Sequence, residues 1–298
     1  MPTLCLGEAI VDLVCERPVT DPAEADTFRP HFGGAAGNVA YTAAAKGADV
    51  ALAGGAGDDA WGRWLRSRLV RVGVDLRWFE LVDGLATPLA LVTTDAEGEP
   101  SFSIYGDGIA ATIEALSGRV DEAVEASDAL FFGTNTMVGD AERALTMAAR
   151  ERAVALDRPV VFDPNLRPAR WPTSAEAAAA ANAAVPGAFL VRTNRAEAEA
   201  MTGEPDPERA AAALLAGGAR LVVVTLGADG ALLRGGLESD VPGVRARVRS
   251  TVGAGDALMG VLLARLALAG FHVSALAAAL PEAVAEAARA TERWGAVE

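Results

Sequence analysis

Short apolar runs alternate with longer amphipathic stretches along most of this chain. Runs rich in Val, Leu, Ile and Phe at 3–14, 50–54, 129–133, 160–163, 189–192 and 221–225 predict buried strands. Between them, apolar residues at helical spacing predict helices over 38–46, 60–72, 140–156, 173–185 and 256–269, with a further amphipathic helix over 281–294. Such alternation predicts an α/β/α sandwich, a mostly parallel sheet with helices on both faces. Two stretches, about 14–32 and 87–105, break the rhythm. In the second, Leu89–Thr94 and 101–105 flank Glu97-Gly98-Glu99 and predict a hairpin.

Composition narrows the class. A chain of 298 residues, 51% hydrophobic and 22% charged, can bury a sizeable core. No repeat or flexible interdomain linker is evident, so residues 1–298 are expected to form one domain. A net charge of −14 disfavours nucleic-acid and anionic-membrane partners, which need basic faces. No apolar run reaches the roughly 18 residues of a membrane span, and Met1-Pro2-Thr3-Leu4 lacks the basic start of a secretory signal. A cytoplasmic protein is expected, with Cys5 and Cys15 as buried free thiols. Lys46 is the only lysine and no G-x-x-x-x-G-K-[ST] occurs, which excludes a P-loop mechanism. Gly55-Ala56-Gly57-Asp58-Asp59-Ala60 matches the Rossmann G-x-G-x-x-A pattern, but a structural turn is the preferred reading.

The candidate chemistry lies at strand ends and helix starts. Ser250-Thr251-Val252-Gly253-Ala254-Gly255-Asp256 is a small-residue turn that ends in an acid where a helix begins. Its uncovered N–H groups form an anion site, and Asp256 there suits a base that deprotonates a hydroxyl attacking a phosphate; an ordinary helix start is the rival. Gly33-Gly34-Ala35-Ala36-Gly37-Asn38 is a second glycine-rich turn running into a helix, with Asn38 able to donate to and accept from hydroxyls. Asp12 closes the first apolar run, where parallel sheets bind ligands beyond their carboxyl ends. Asn194-Arg195-Ala196-Glu197 fits both a capping box and a pair that holds Mg²⁺-bound water. Thr225-Leu226-Gly227-Ala228-Asp229-Gly230 follows a strand and suits nucleotide contact or a plain turn. In Asp163-Pro164-Asn165-Leu166-Arg167, Arg167 suits a γ-phosphate, a substrate carboxylate or a structural pair with Asp163.

Together, and in this order, these segments resemble the ribokinase-like (PfkB) carbohydrate kinases. The turn at 250–256 is similar to the family's D-T-x-G-A-G-D signature, and 32–40 to its first, glycine-rich one. Asp163 to Arg167 with Trp171 resembles the D-P-N-L-R…W stretch of fructokinases and 2-keto-3-deoxygluconate kinases. The resemblance implies a Rossmann-type sandwich with a small β-sheet lid made of the two interrupting stretches. It implies ATP-dependent phosphorylation of a primary hydroxyl of a small sugar, with Asp256 as base and Gly253, Ala254 and Gly255 N–H groups stabilising the transferred group. Asp12, Gly33, Gly34, Asn38, Tyr105 and Arg167 are expected at the sugar; Asn194, Thr225, Gly227 and Gly230 at the nucleotide; and Glu197 at Mg²⁺ through water. Fructose is the expected substrate, with sugar acids, inositol, nucleosides and a non-catalytic binding homologue as alternatives. The chain departs from the family at Ser250, where relatives have an Asp that helps build a monovalent-cation site, which leaves that cation open. It also has Tyr105-Gly106 where many fructokinases have Y-R, and Val284 where relatives often carry Asn near the adenine. A dimer contact through the lid is expected, since a small sheet exposes edges and an apolar face.

Overall fold

A computed structural model describes residues 1–106 and 108–297. The strands are β1 (Thr3–Leu6), β2 (Ile10–Pro18), β3 (Arg29–Gly33), β4 (Val50–Gly57), β5 (Phe79–Val82), β6 (Leu89–Thr94), β7 (Pro100–Tyr105), β8 (Ala129–Phe132), β9 (Val160–Phe162), β10 (Leu190–Asn194), β11 (Leu221–Thr225), β12 (Gly230–Gly235) and β13 (Ser239–Pro242). The helices are α1 (Ala35–Ala45), α2 (Ala60–Val72), α3 (Gly108–Glu114), α4 (Val120–Glu125), α5 (Asp140–Ala155), α6 (Ser174–Ala184), α7 (Arg195–Thr202), α8 (Pro207–Ala216), α9 (Ala254–Leu268) and α10 (Val273–Ala290).

Nine strands form the main sheet in the order β13-β12-β11-β10-β9-β8-β1-β4-β5. From β11 to β5 every pairing is parallel, while β12 and β13 add an antiparallel edge. Parallel strands buried on both faces read as continuous apolar runs, which is why Leu221–Thr225 and Ala129–Phe132 were legible. One core cluster packs α1, α9 and α10 against the sheet; the other packs α5, α6, α7 and α8 against its opposite face. Ten of the fifteen residues of α9 are buried, the mark of a helix with apolar residues on most of its faces.

The second sheet has four strands in the order β3-β2-β6-β7 and draws on the two stretches that interrupt the α/β rhythm. Here the structure corrects a predicted boundary. The apolar run over 3–14 is two strands in two sheets, broken at Gly7, where a Cβ would come within 2.5 Å of the Ala36 methyl. Asp12 therefore sits inside β2, opposite His31 of β3 and Ala90 of β6, and not at the end of a main-sheet strand. The predicted C-terminal helix begins earlier, at Val273, with Pro281 inside it. Cys5 and Cys15 are buried free thiols, as the sequence predicts. Among the described residues no helix is long and apolar enough to cross a membrane.

Candidate active site

The small sheet faces the carboxyl ends of the parallel strands, and a cleft lies between them. Asp256 stands on its floor, in the first turn of α9 and only 7% exposed. Asn38 of α1 donates from Nδ2 to its Oδ2 at 2.8 Å, and Asn165 donates to its Oδ1 at 3.3 Å. Asn165 has φ 45°, a left-handed conformation that a short polar side chain tolerates better than most, and this aims its amide inward. Burial pushes the Asp256 carboxyl above the ordinary aspartate range; the Asn38 bond and the charges of Arg167 and Arg192 oppose that rise.

Asp12 and Asn38 form one wall of the cleft, and each carries a buried acceptor, Asp12 Oδ1 and Asn38 Oδ1, without a hydrogen-bond partner among the described residues. Buried acceptors left open in a cleft are suited to hydroxyl donors from a ligand. Burial raises Asp12 to about 7, and the nearby Asp256 adds to the rise while Arg167 opposes it. Gly33 supports this wall from behind. A Cβ there would lie 2.3 Å from the Asp12 carboxylate. Gly34 lines the cleft with φ 91°, and a Cβ on it would meet the Glu8 carbonyl at 2.5 Å. Phe102, Ile104, Ile109 and Val252 supply apolar walls. Arg167 enters from the loop after β9 and stacks on the Phe102 ring at 5.2 Å.

The turn at 250–256 owes its shape to its glycines. Gly253 caps α9 in the left-handed region (φ 73°), and a Cβ would lie 2.2 Å from that of Ala296. Ala254 N–H donates to the Thr251 carbonyl at 3.2 Å and closes the turn. Gly255 and Asp256 therefore supply the open first-turn donors, and Ala254 does not.

Other predicted residues are placed differently. Tyr105 is 58% exposed on the outer face of β7, because alternation along the strand turns Phe102 and Ile104 inward. The structure does not bring it to the cleft. Asn194 and Glu197 form a complete capping box: Glu197 N–H donates to Asn194 Oδ1 at 2.8 Å and Asn194 N–H to Glu197 Oε2 at 2.9 Å. The second Glu197 oxygen accepts the Leu166 N–H at 2.9 Å, so both oxygens hold backbone. Thr225 ends β11 beside Arg192, and Gly227 is exposed just beyond it. Gly230 is buried, with the Val241 carbonyl 2.0 Å from where a Cβ would be, which makes it a packing glycine with no ligand face. His31 bonds Glu16 at 2.9 Å and does not line the cleft.

Sequence reasoning missed four members of the site. Glu8 is buried and accepts from the Ala35 N–H and from Asn135 Nδ2, both at 2.9 Å. Asn135 lies in the short 3₁₀ turn Thr134–Thr136 and Asn165 in a loop, and neither segment carries a periodic pattern that could have marked them. Arg192 is the fourth, and it, not Arg167, pairs with Asp163, at 3.1 Å.

The pfkB family carbohydrate kinase profile matches residues 3–296. The chain is 31% identical over 262 residues to Fructokinase-1 of Oryza sativa subsp. japonica, covering 87% of this chain and 81% of that protein. It is 29% identical to Fructokinase-2 of Solanum lycopersicum, over 87% of this chain and 80% of that one. Among solved structures, the fructokinase of Vibrio cholerae O395 in its fructose-, ADP- and calcium-bound form superposes with a TM-score of 0.85 at 27% identity, covering 99% of this chain and 94% of that one. The aminoimidazole riboside kinase of Salmonella enterica, complexed with aminoimidazole riboside and an ATP analogue, gives 0.82 at 26%, covering 99% and 95%.

Proposed function

The chain belongs to the pfkB family of carbohydrate kinases, and from that premise we propose that it transfers the γ-phosphate of ATP to a primary hydroxyl of fructose. That it is an ATP-dependent carbohydrate kinase follows from the family and its kinase relatives. The finer reading rests on one observation above all. A buried, doubly amide-held Asp256 shares a cleft with two unpartnered acceptors, on Asp12 and Asn38.

In this reading Asp12 and Asn38 accept hydrogen bonds from sugar hydroxyls and set the ring so that one hydroxyl points at Asp256. Asp256 takes the proton of that hydroxyl as its oxygen bonds to the γ-phosphorus. The bond from phosphorus to the bridging oxygen breaks and ADP leaves. A base raised by burial is better matched to this proton than an ordinary aspartate. The open N–H groups of Gly255 and Asp256, with the Arg167 charge, oppose the negative charge on the phosphoryl group. The apolar walls exclude water that would otherwise compete as acceptor. Asn194, Thr225 and Gly227, at the ends of β10 and β11, serve the nucleotide, and the small sheet serves as the lid of one kinase unit spanning the chain.

Among the described residues no three His, Cys, Asp or Glu side chains converge as a metal cage, and both Glu197 oxygens are engaged with backbone. The residues therefore fit Mg²⁺ held by nucleotide phosphates and water, with Glu197 acting through water at most. There the ion would neutralise phosphate charge.

A second reading, a sugar-acid substrate, draws on Arg167 in the cleft, since a guanidinium holds a carboxylate well. A panel of sugars and sugar acids with ATP tests both. Fructose is expected to give the highest kcat/KM, and Arg167→Ala is expected to lower turnover of every substrate alike. A preference of tenfold or more for a sugar acid, lost selectively in Arg167→Ala, replaces the fructose assignment.

A further inference from the structure

Arg192 has no part in the reading above, yet it is the most enclosed cation of the site. It projects from β10, is 5% exposed, and lies where three segments of the site meet. Its Nη1 donates to Asp163 at 3.1 Å, just beyond β9. Its Nη2 donates to the Thr225 hydroxyl at 2.9 Å, at the end of β11. Its Nε is buried without a partner among the described residues. The third contact is with the turn at 250–256. A Cβ built on Gly255 would lie 2.7 and 2.8 Å from the two terminal nitrogens and 3.0 Å from Cζ. These distances put the terminal nitrogens of the guanidinium against the place where a Gly255 side chain would stand. Gly255 is thus glycine to admit an arginine from strand β10.

We propose that Arg192 is a positioning residue for phosphoryl transfer: anchored by Asp163 and Thr225, it fixes the Gly255 backbone, and with it the donors and carboxylate at the start of α9, while joining the sugar side of the site to the nucleotide side. This rests on the kinase reading of the same site. A planar guanidinium can hold both anchors and cover the turn at once; an ammonium cannot bridge the two ends. Burial pushes the Asp163 carboxyl up and the Arg192 charge opposes it, so removing Arg192 alone would leave an acid buried without its cation. The residue belongs to the chemistry rather than to the fold alone only if its removal, together with that acid, slows the reaction in a protein that still folds.

The test compares the parent with Arg192→Lys and with the double variant Arg192→Met/Asp163→Asn, which deletes both charges of the pair. Melting temperature, sugar KM and turnover per folded molecule are measured with whichever sugar the parent accepts best. A parent that prefers a sugar acid overturns the fructose assignment and leaves this comparison intact. The double variant is expected to keep its sugar KM within about threefold while kcat falls on the order of 100-fold, the scale of losing one preorganised donor. Arg192→Lys should recover about tenfold of that loss. A folded double variant with kcat within threefold of the parent overturns the proposal. Should the double variant fail to fold, Gly255→Ala decides, because it adds one methyl against the guanidinium on backbone that is already helical. An unchanged melting temperature with at least tenfold lower kcat supports the role, and parental kcat overturns it.

Discussion

Asp12 and Asp256 lie buried in one cleft, and the proposed reaction gives them different work. Replacing Asp256 by Asn keeps the shape and removes the proposed base. Turnover should fall by roughly 100- to 10,000-fold with ADP affinity, read by calorimetry, nearly unchanged; turnover within a few-fold of the parent would remove Asp256 from the base role. Asp12 offers a test through stability. Its carboxyl is raised from 3.8 to about 7, first by burial and then by Asp256. Below the lower value it is protonated folded and unfolded alike. Between the two, the folded chain keeps a proton that the unfolded chain has released, so this group's contribution falls as pH rises through that window. The melting temperature of Asp12→Asn relative to the parent should therefore climb from about pH 4 to about pH 7 and level off above it. A difference that stays flat across that range contradicts the burial account. At this scale the sequence marked Asn38 and Asp256 because each stands where a small-residue turn runs into a helix, and Asp12 because it closes an apolar run. It could not mark Tyr105 as outward, since a run of alternating residues does not say which face is inside.

The site is assembled from element ends. α9 begins with a left-handed glycine, α7 with a capping box, α1 with Gly34 against the Glu8 carbonyl. Gly253→Ala meets two obstacles, a positive φ and the Ala296 methyl, and should destabilise by about 1–3 kcal/mol in urea unfolding. Parental stability would show that the turn has another conformation open to it. The N-x-x-E of α7 was legible as a cap, because capping is a local property of four residues. Its further bond to Leu166 was not. That contact ties the loop carrying Arg167 to α7 across a gap of 31 residues, which no local pattern encodes.

Across the whole molecule, the outward face of the small sheet presents partly exposed Leu13, Leu89 and Leu91 with exposed Tyr105. We propose that a second copy covers this face, since an isolated sheet with one apolar face needs a partner. Light scattering at micromolar concentration should give about twice the 30.5 kDa chain mass, and Leu91→Lys should return it to one; a strictly monomeric parent contradicts the contact. The pfkB family and its α/β architecture were readable from the chain alone. Strand and helix periodicity and two small-residue turns are local properties, and each survives whatever the rest of the chain does. Partnership across the site was decided only by the tertiary structure. Asn38 meets Asp256 across 218 residues, and Arg192 reaches Gly255 of α9 from strand β10. Such contacts depend on sheet order and register, and a slip of one residue along a strand would turn every side chain on it to the other face.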